Sequence, residues 1–358
     1  MSLKIKDRIQ KLSQELGERE IDGIFISQPE NRRYLSGFDG SAGFLLVTQQ
    51  DKILATDFRY LAQAKSQAPD YKVFPITDDI GHWFPPLAAE LGIKRLGFEA
   101  GHITFAQHRQ LCDILNKGKS QLKLIPVDGM VESLRAIKEP EEIELITKAA
   151  EITDAAMEYI RDKIRPGVTE KEAAWEIEKF LREEGSQTIP FDVIVASGAN
   201  SALPHAKPSA RAIQSGEPII IDIGARVGGY CSDLSRTICF GTPDDTFNRI
   251  YDTVLGAQLG AMAIIKPGMT GAEADQLARV IIEEGGYGEA FGHALGHGVG
   301  LATHEQPRLG PNSTEKLVDS MVFTIEPGIY LDGWGGVRIE DLVMMEKGKV
   351  REISKAKK

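Results

Sequence analysis

The sequence is poor in cysteine, in basic clusters and in long apolar runs, and each shortage removes a class of function. Three cysteines in 358 residues, Cys112, Cys231 and Cys239, are too few and too irregularly spaced for a disulfide framework or a thiolate metal cluster. Free thiols in a reducing compartment, the cytoplasm, are expected. Lys and Arg number 42 against 52 Asp and Glu, a formal charge of -10 with no basic stripe, which argues against a nucleic-acid partner held through its phosphates. The amino terminus alternates charges in Lys4-Ile5-Lys6-Asp7-Arg8 and lacks the continuous apolar stretch of a secretory leader or a membrane span. No membrane partner is expected.

What is present is ample core. At 42% hydrophobic residues, a chain of this length fills two domains better than one. Ile5, Ile9, Leu12 and Leu16 fall at helical spacing before a buried-strand run, Gly23 to Ile26. Strand-like Phe44 to Val47, helical Tyr60 to Gln67, strand-like Tyr71 to Ile76 and Arg95 to Phe98 continue the alternation, giving a first α/β domain over residues 1–128. Gly40-Ser41-Ala42-Gly43 lacks the lysine and spacing of a phosphate loop and reads as a tight turn. A second domain, residues 138–358, opens with a helix from Pro140 to about Arg165 whose buried face is Ile146, Ala149, Thr153, Ala156 and Ile160.

This second domain repeats itself. Pro166-Gly167-Val168-Thr169 with Glu172-Ala173 recurs 101 residues later as Pro267-Gly268-Met269-Thr270 with Glu273-Ala274. In each copy Thr and the Glu three residues on form a capping box that opens a helix, ending near Gly185 and Gly285. Each copy then supplies a histidine, His205 or His304, and an acidic hairpin. In the first hairpin a turn centred on Val227 and Gly228 makes Asp222 and Asp233 cross-strand partners, a like-charge pair that is costly without a proton or a cation. In the second, Val322 to Glu326 and Val337 to Glu340 flank the Gly-rich Leu331 to Gly336. Four carboxylates around one centre carry too much charge for one divalent ion, and two ions are the simplest solution. His297, between Gly296 and Gly298, is the candidate imidazole ligand. Oxygen-rich donors with one nitrogen favour manganese or cobalt, with zinc or iron also suited.

These motifs resemble the proline-specific branch of the creatinase-like "pita-bread" metallopeptidases, comprising Xaa-Pro aminopeptidase and prolidase. The likeness rests on Asp222 in Asp-Ile-Gly-Ala, Asp233 in Cys-Ser-Asp-Leu-Ser-Arg-Thr, His297 in Gly-His-Gly-Val-Gly, Glu326 in Glu-Pro-Gly-Ile-Tyr and Glu340 in Val-Arg-Ile-Glu-Asp. It extends to the front domain through Tyr34 to Gly43 and Thr56 to Tyr60. The resemblance implies an α+β fold: a pita-bread catalytic domain with pseudo-twofold repeat, preceded by a smaller α/β domain of the creatinase N-terminal type. It implies that Asp233 and Glu340 bridge two metals, that Asp222 binds one, and that His297 and Glu326 bind the other.

The activity it implies is hydrolysis of the bond before a proline in second position of short peptides, through a metal-bridging hydroxide, with Glu326 accepting the water proton. His205 and His304 are matched to positions that bind substrate or stabilise the oxyanion, with His293 a further substrate-binding candidate. Arg308 and Arg338 are cations suited to offset ligand charge or grip a substrate carboxylate. A homodimer is implied by the same family. Methionine aminopeptidase shares the ligand set but lacks such a front domain in its usual architecture. A metal-free binding protein on this fold would be expected to lose ligands, and all five are retained.

Overall fold

The computed structural model describes residues 2–358 and divides the chain into two compact units, one ending at Leu134 and the other beginning at Arg135. The first unit runs α1 (Ser2–Glu18), β1 (Gly23–Ile26), α2 (Pro29–Ser36), β2 (Phe44–Thr48), β3 (Lys52–Asp57), α3 (Leu61–Gln67), β4 (Lys72–Ile76), α4 (Ile80–Glu90), β5 (Arg95–Glu99), α5 (Phe105–Lys117) and β6 (Lys123–Val127). Its strands form a six-stranded mixed sheet in the order β4-β3-β2-β1-β5-β6. Phe25, Phe44, Trp83 and Phe84 stack or meet edge to face in its core. The Gly40 to Gly43 segment is a bend held by the buried Arg32, which donates to the carbonyls of Gly40 (2.5 Å) and Gly43 (2.6 Å).

The helix α6 (Met130–Ala136) contains the division. Then follow α7 (Pro140–Lys163), α8 (Glu170–Glu183), β7 (Ile194–Ser197), β8 (Ile219–Ile223), β9 (Arg226–Val227), β10 (Tyr230–Cys231) and β11 (Leu234–Ile238). A second series repeats the order: α9 (Asp245–Ile264), α10 (Gly271–Glu284), β12 (Gly296–Gly298), β13 (Glu305–Leu309), β14 (Val322–Ile325), β15 (Gly328–Leu331), β16 (Gly335–Arg338), β17 (Asp341–Glu346) and β18 (Lys349–Glu352). Both capping boxes are present: the Thr169 and Thr270 hydroxyls accept from the amides of Glu172 and Glu273, whose carboxylates accept in return. The α7 face read from the sequence is buried at all five positions.

Pairing makes the repeat explicit. In the first half β8 lies between β7 and β11, and in the second β14 lies between β12 and β17. Beyond each sheet the hairpin continues as a two-stranded arm, β9 with β10 and β15 with β16. Each half packs its own apolar core, Ile160, Ile177 and Ile221 in one and Ile250, Ile282 and Phe323 in the other. No helix among the described residues is long and apolar enough to cross a membrane.

The register of the first hairpin differs from the sequence expectation. Tyr230 pairs with Val227 and Ser235 with Asp222, so the turn is centred on Gly228 and Gly229, and Asp222 faces Ser235 instead of Asp233. The reason is backbone sterics. The two central residues have φ of 56° and 87°, values that two glycines adopt freely and that valine does not. The shift of two residues keeps both aspartates on the same side of the ribbon, since strand faces alternate with period two.

Candidate metal centre

Each hairpin thins its ladder where sheet gives way to arm, to the bond from Ser232 N to Ala225 O at 2.9 Å in one and from Ile339 N to Pro327 O at 3.4 Å in the other, and the acidic residues lie beside these bonds. Between β8 and β9 stand Gly224 and Ala225, opposite the gap that holds Ser232 and Asp233. In the second half the registers of β14 with β17 and of β15 with β16 project Glu326 opposite Glu340 in the same kind of gap. Freed from the ladder, these carboxylates turn toward the space between the halves. Asp233, His297 and Glu340 offer ligand atoms within 4.8 Å of one another. His297 Nε2 is 3.3 Å from Glu326 Oε1 and 3.7 Å from Asp233 Oδ2.

His297 is seated by its neighbours' lack of side chains. A Cβ at Gly296 would lie 2.0 Å from Thr324 O, and one at Gly298 would lie 2.0 Å from Gln306 O, so the flanking strands approach as only glycine permits. Its amide donates to Thr324 Oγ1 at 3.1 Å, and that hydroxyl donates to Glu326 Oε1 at 3.2 Å. One threonine thus orients two of the groups.

The electrostatics show crowding. Burial and the charges of Glu340 and Asp222 push the Asp233 carboxyl well above the usual range, and burial with the charges of Glu326 and Asp222 does the same to Glu340. Burial also raises Asp222, against the pull of Arg338. Burial opposes ionisation of Glu326 too, but the hydrogen bond and charge of His297 outweigh it and bring its pKa down to about 2. Those same contacts raise His297 against its own burial. Asp222 Oδ1 is buried and makes no hydrogen bond among the described residues, an acceptor aimed at nothing the chain provides. A crowded set of carboxylates, an orphaned oxygen and one imidazole fit a divalent-metal centre.

Arg338 is 3% exposed and committed: Nη2 donates to Asp222 Oδ2 at 2.6 Å, Nε to Ser235 Oγ at 2.9 Å, and Nη1 to Tyr330 Oη at 3.0 Å and Pro204 O at 3.2 Å. Its position is that of a charge balancing Asp222. Tyr330, which the sequence reading did not single out, joins Arg338 to His293, whose Nε2 is 2.9 Å from the phenol oxygen. The signal for it was alternation from Glu326 through Gly328 to Tyr330. Burial raises the Tyr330 phenol to about 12 and lowers His293.

The remaining candidates are accessible. His304 is exposed in the segment before β13, its ring centroid 4.1 Å from that of His297, and burial of its ring and the His297 charge lower its pKa. His205 is exposed in the loop after the short turn Gly198–Ala202, and its charge contributes to lowering both His293 and His304. Arg308 is the cross-strand partner of His297 and lines, with His293, Arg279 and Ser313, a cleft of ≈ 630 Å³.

Two buried carboxylates outside the centre anchor these loops. Glu170 accepts from the amides and hydroxyls of Ser197 and Ser209 and from Asn200 Nδ2, at 2.6 to 3.1 Å, tying both ends of the His205 loop. Glu305, next to His304, is paired with Arg135 and with Lys138 at 2.8 Å.

Comparison with known proteins agrees across nearly the whole chain. Residues 144–347 match metallopeptidase family M24 and residues 8–137 match the creatinase/prolidase N-terminal domain. The Xaa-Pro dipeptidase of Pyrococcus furiosus is 38% identical over 358 residues, 99% of each chain. The solved structure of an Xaa-Pro dipeptidase from Bacillus anthracis superposes with a TM-score of 0.94 at 43% identity, covering 99% of this chain and 98% of that one. The X-Pro aminopeptidase from Thermotoga maritima does so at 0.88 and 37%, covering 97% of each.

Proposed function

This chain belongs to metallopeptidase family M24, in its creatinase-like Xaa-Pro peptidase branch, and from that premise we propose that it hydrolyses the bond between an amino-terminal residue and a following proline. Asp222, Asp233, His297, Glu326 and Glu340 would hold two divalent ions, with manganese or cobalt favoured by the oxygen-rich donors and zinc or iron also suited. The single observation that carries the reading is the convergence of Asp233, His297 and Glu340 ligand atoms within 4.8 Å beside the orphaned Asp222 Oδ1. When bound, such a pair of ions supplies an acidified water and a polarised carbonyl.

The chain's own groups do the rest. The Glu326 carboxylate takes the proton released as water adds to the scissile carbonyl and returns it to the departing proline nitrogen. His205 and His304, exposed beside the centre, hydrogen-bond the substrate carbonyl and the oxyanion that forms from it. Arg338 offsets the charge of Asp222 through their 2.6 Å pair. Arg308, whose exposed guanidinium makes no ion pair among the described residues, meets the carboxylate of a short substrate, which favours Xaa-Pro dipeptides over longer peptides.

The test is a panel of Ala-Pro, Ala-Pro-Ala and Met-Ala peptides with manganese, cobalt or zinc added to metal-free protein. Cleavage of Ala-Pro above the others is expected. Preferential cleavage of Met-Ala would overturn the proline assignment, and cleavage of Ala-Pro-Ala alone would overturn the dipeptide preference. We propose a cytoplasmic homodimer, its assembly to be checked by sedimentation velocity, where a fully active monomer would refute it.

A further inference from the structure

Between the pair of Ile325 with Asp341 and that of Gly328 with Arg338, the strands that carry Glu326 and Glu340 are joined by a long backbone bond from Ile339 N to Pro327 O at 3.4 Å, and a side chain reinforces them there. From α9 the side chain of Gln258, fully buried, enters the gap. Its Nε2 donates to Ile325 O and to Ile339 O, each at 3.2 Å, and lies 3.0 Å from Asp341 Oδ2. Ile325 and Ile339 are the residues immediately before the two glutamates, so one amide spans the strands at the point where the backbone delivers both. The Asp341 carboxylate is also held by Arg236 Nη2 on Oδ1 at 2.6 Å and by Lys358 Nζ on Oδ2 at 2.8 Å. The amide is therefore braced at three points.

Gln258 Oε1 is buried and makes no hydrogen bond among the described residues, a desolvation cost that an apolar side chain would not carry. A position needed only for core packing gains from leucine or methionine. The first half has a counterpart on α7: Thr153 Oγ1 is 2.5 Å from Ser232 Oγ, which accepts from Ala225 N at 3.0 Å and precedes Asp233. With the halves offset by 101 residues, Gln258 aligns with position 157, four residues or one helical turn from Thr153 and on the same face. Each long helix thus sends one buried polar side chain into the strand gap of its own half.

We propose that Gln258 is a positioning residue for the metal centre, setting the separation of the Glu326 and Glu340 carboxylates by bridging the Ile325 and Ile339 carbonyls. This rests on the reading of those glutamates as metal ligands.

The experiment is calorimetric titration of zinc into metal-free Gln258→Met, which keeps the side chain's length and removes the amide. A folded variant with zinc affinity about 10–100-fold weaker is expected, the usual effect of losing a partner that orients ligands. Gln258→Glu, which faces a carboxylate toward three oxygen acceptors, should bind more weakly still. Unchanged affinity in either folded variant overturns the proposal. If neither folds, the readout moves to the unsubstituted protein by NMR, where the Gln258 side-chain amide protons should resist exchange and shift on zinc addition; unprotected, unshifted signals overturn it. The ligand reading is tested separately, since Glu340→Gln with full zinc affinity would remove that reading whatever Gln258 does.

Discussion

Two sets of buried carboxylates lie in the second unit, and their surroundings treat them oppositely. Asp233 and Glu340 sit among other acids, and burial with like charge raises both well above the usual range. Glu170 and Glu305 are as deeply placed, but hydrogen bonds from Ser209 and Ser197 lower the first against its burial, and Lys138 and Arg135 lower the second against its own. The anchors are complete as folded. In the proposed reading a divalent cation completes the central pair. The contrast separates carboxylates that the chain itself satisfies from carboxylates that it does not.

The largest test removes a central acid. Asp233→Ala is expected to lower Ala-Pro hydrolysis by at least ~10³-fold, about 4 kcal/mol of transition-state stabilisation, while the metal-free thermal midpoint stays level or rises because a repulsive charge has gone. Full activity in that folded variant would sink the contrast at its centre. Glu305→Ala should do the reverse, destabilising the fold by roughly 3–5 kcal/mol in urea by removing the buried carboxylate that both Arg135 and Lys138 pair with. A loss under about 1 kcal/mol would place Glu305 outside the anchor class. Glu170→Gln, which swaps an acceptor-only carboxylate for an amide with one carbonyl oxygen, is expected to cost about 1–3 kcal/mol in the same assay. Its kcat should fall only as far as the His205 loop loosens, and a variant of wild-type stability would contradict the six bonds drawn to that carboxylate.

The smallest effect is in pH. For Asp233 and Glu340 the folded pKa lies above the unfolded one, so the metal-free protein keeps their contribution below the unfolded value and loses it as pH rises through the raised value. For Glu170 and Glu305 the folded pKa lies below the unfolded one, so their contribution is present above the unfolded value and lost as pH falls through the lowered one. Metal-free protein should therefore lose stability as pH rises through the raised values of the two central acids, and divalent metal at ~100-fold its Kd should restore about 2.7 kcal/mol above them. If Asp233→Asn leaves the pH dependence of metal-free stability unchanged, the central acids do not titrate as a crowded set.

Much of this was legible in the sequence, for a physical reason. Paired acids on β-branched strands, glycines flanking His297 and Thr-Glu capping boxes are local patterns, and the folded chain keeps them. The α7 face followed from spacing alone. The hairpin register was missed because a turn of this kind needs positive φ at both central residues, which points to Gly228-Gly229 over Val227-Gly228. The helix α4 is not announced by the sequence, since Pro85 and Pro86, residues that ordinarily break helices, lie inside it. Tyr330, Gln258, Glu170 and the Glu305 triad act across 8 to 170 residues of chain, and no local period announces such contacts. The partner of Arg338 was equally long-range, 116 residues away at Asp222.

The three-residue strand β12 carries a consequence for redesign. The backbone of its histidine is located by two neighbouring main chains pressed against Gly296 and Gly298, while Thr324 and Glu326 orient the residue from the side. The seat and its occupant are thus separable: under the proposed ligand set, exchanging His297 for cysteine or aspartate would alter the softness of one donor while the glycine-framed backbone stays in place, so position 297 would be a single address for tuning metal preference.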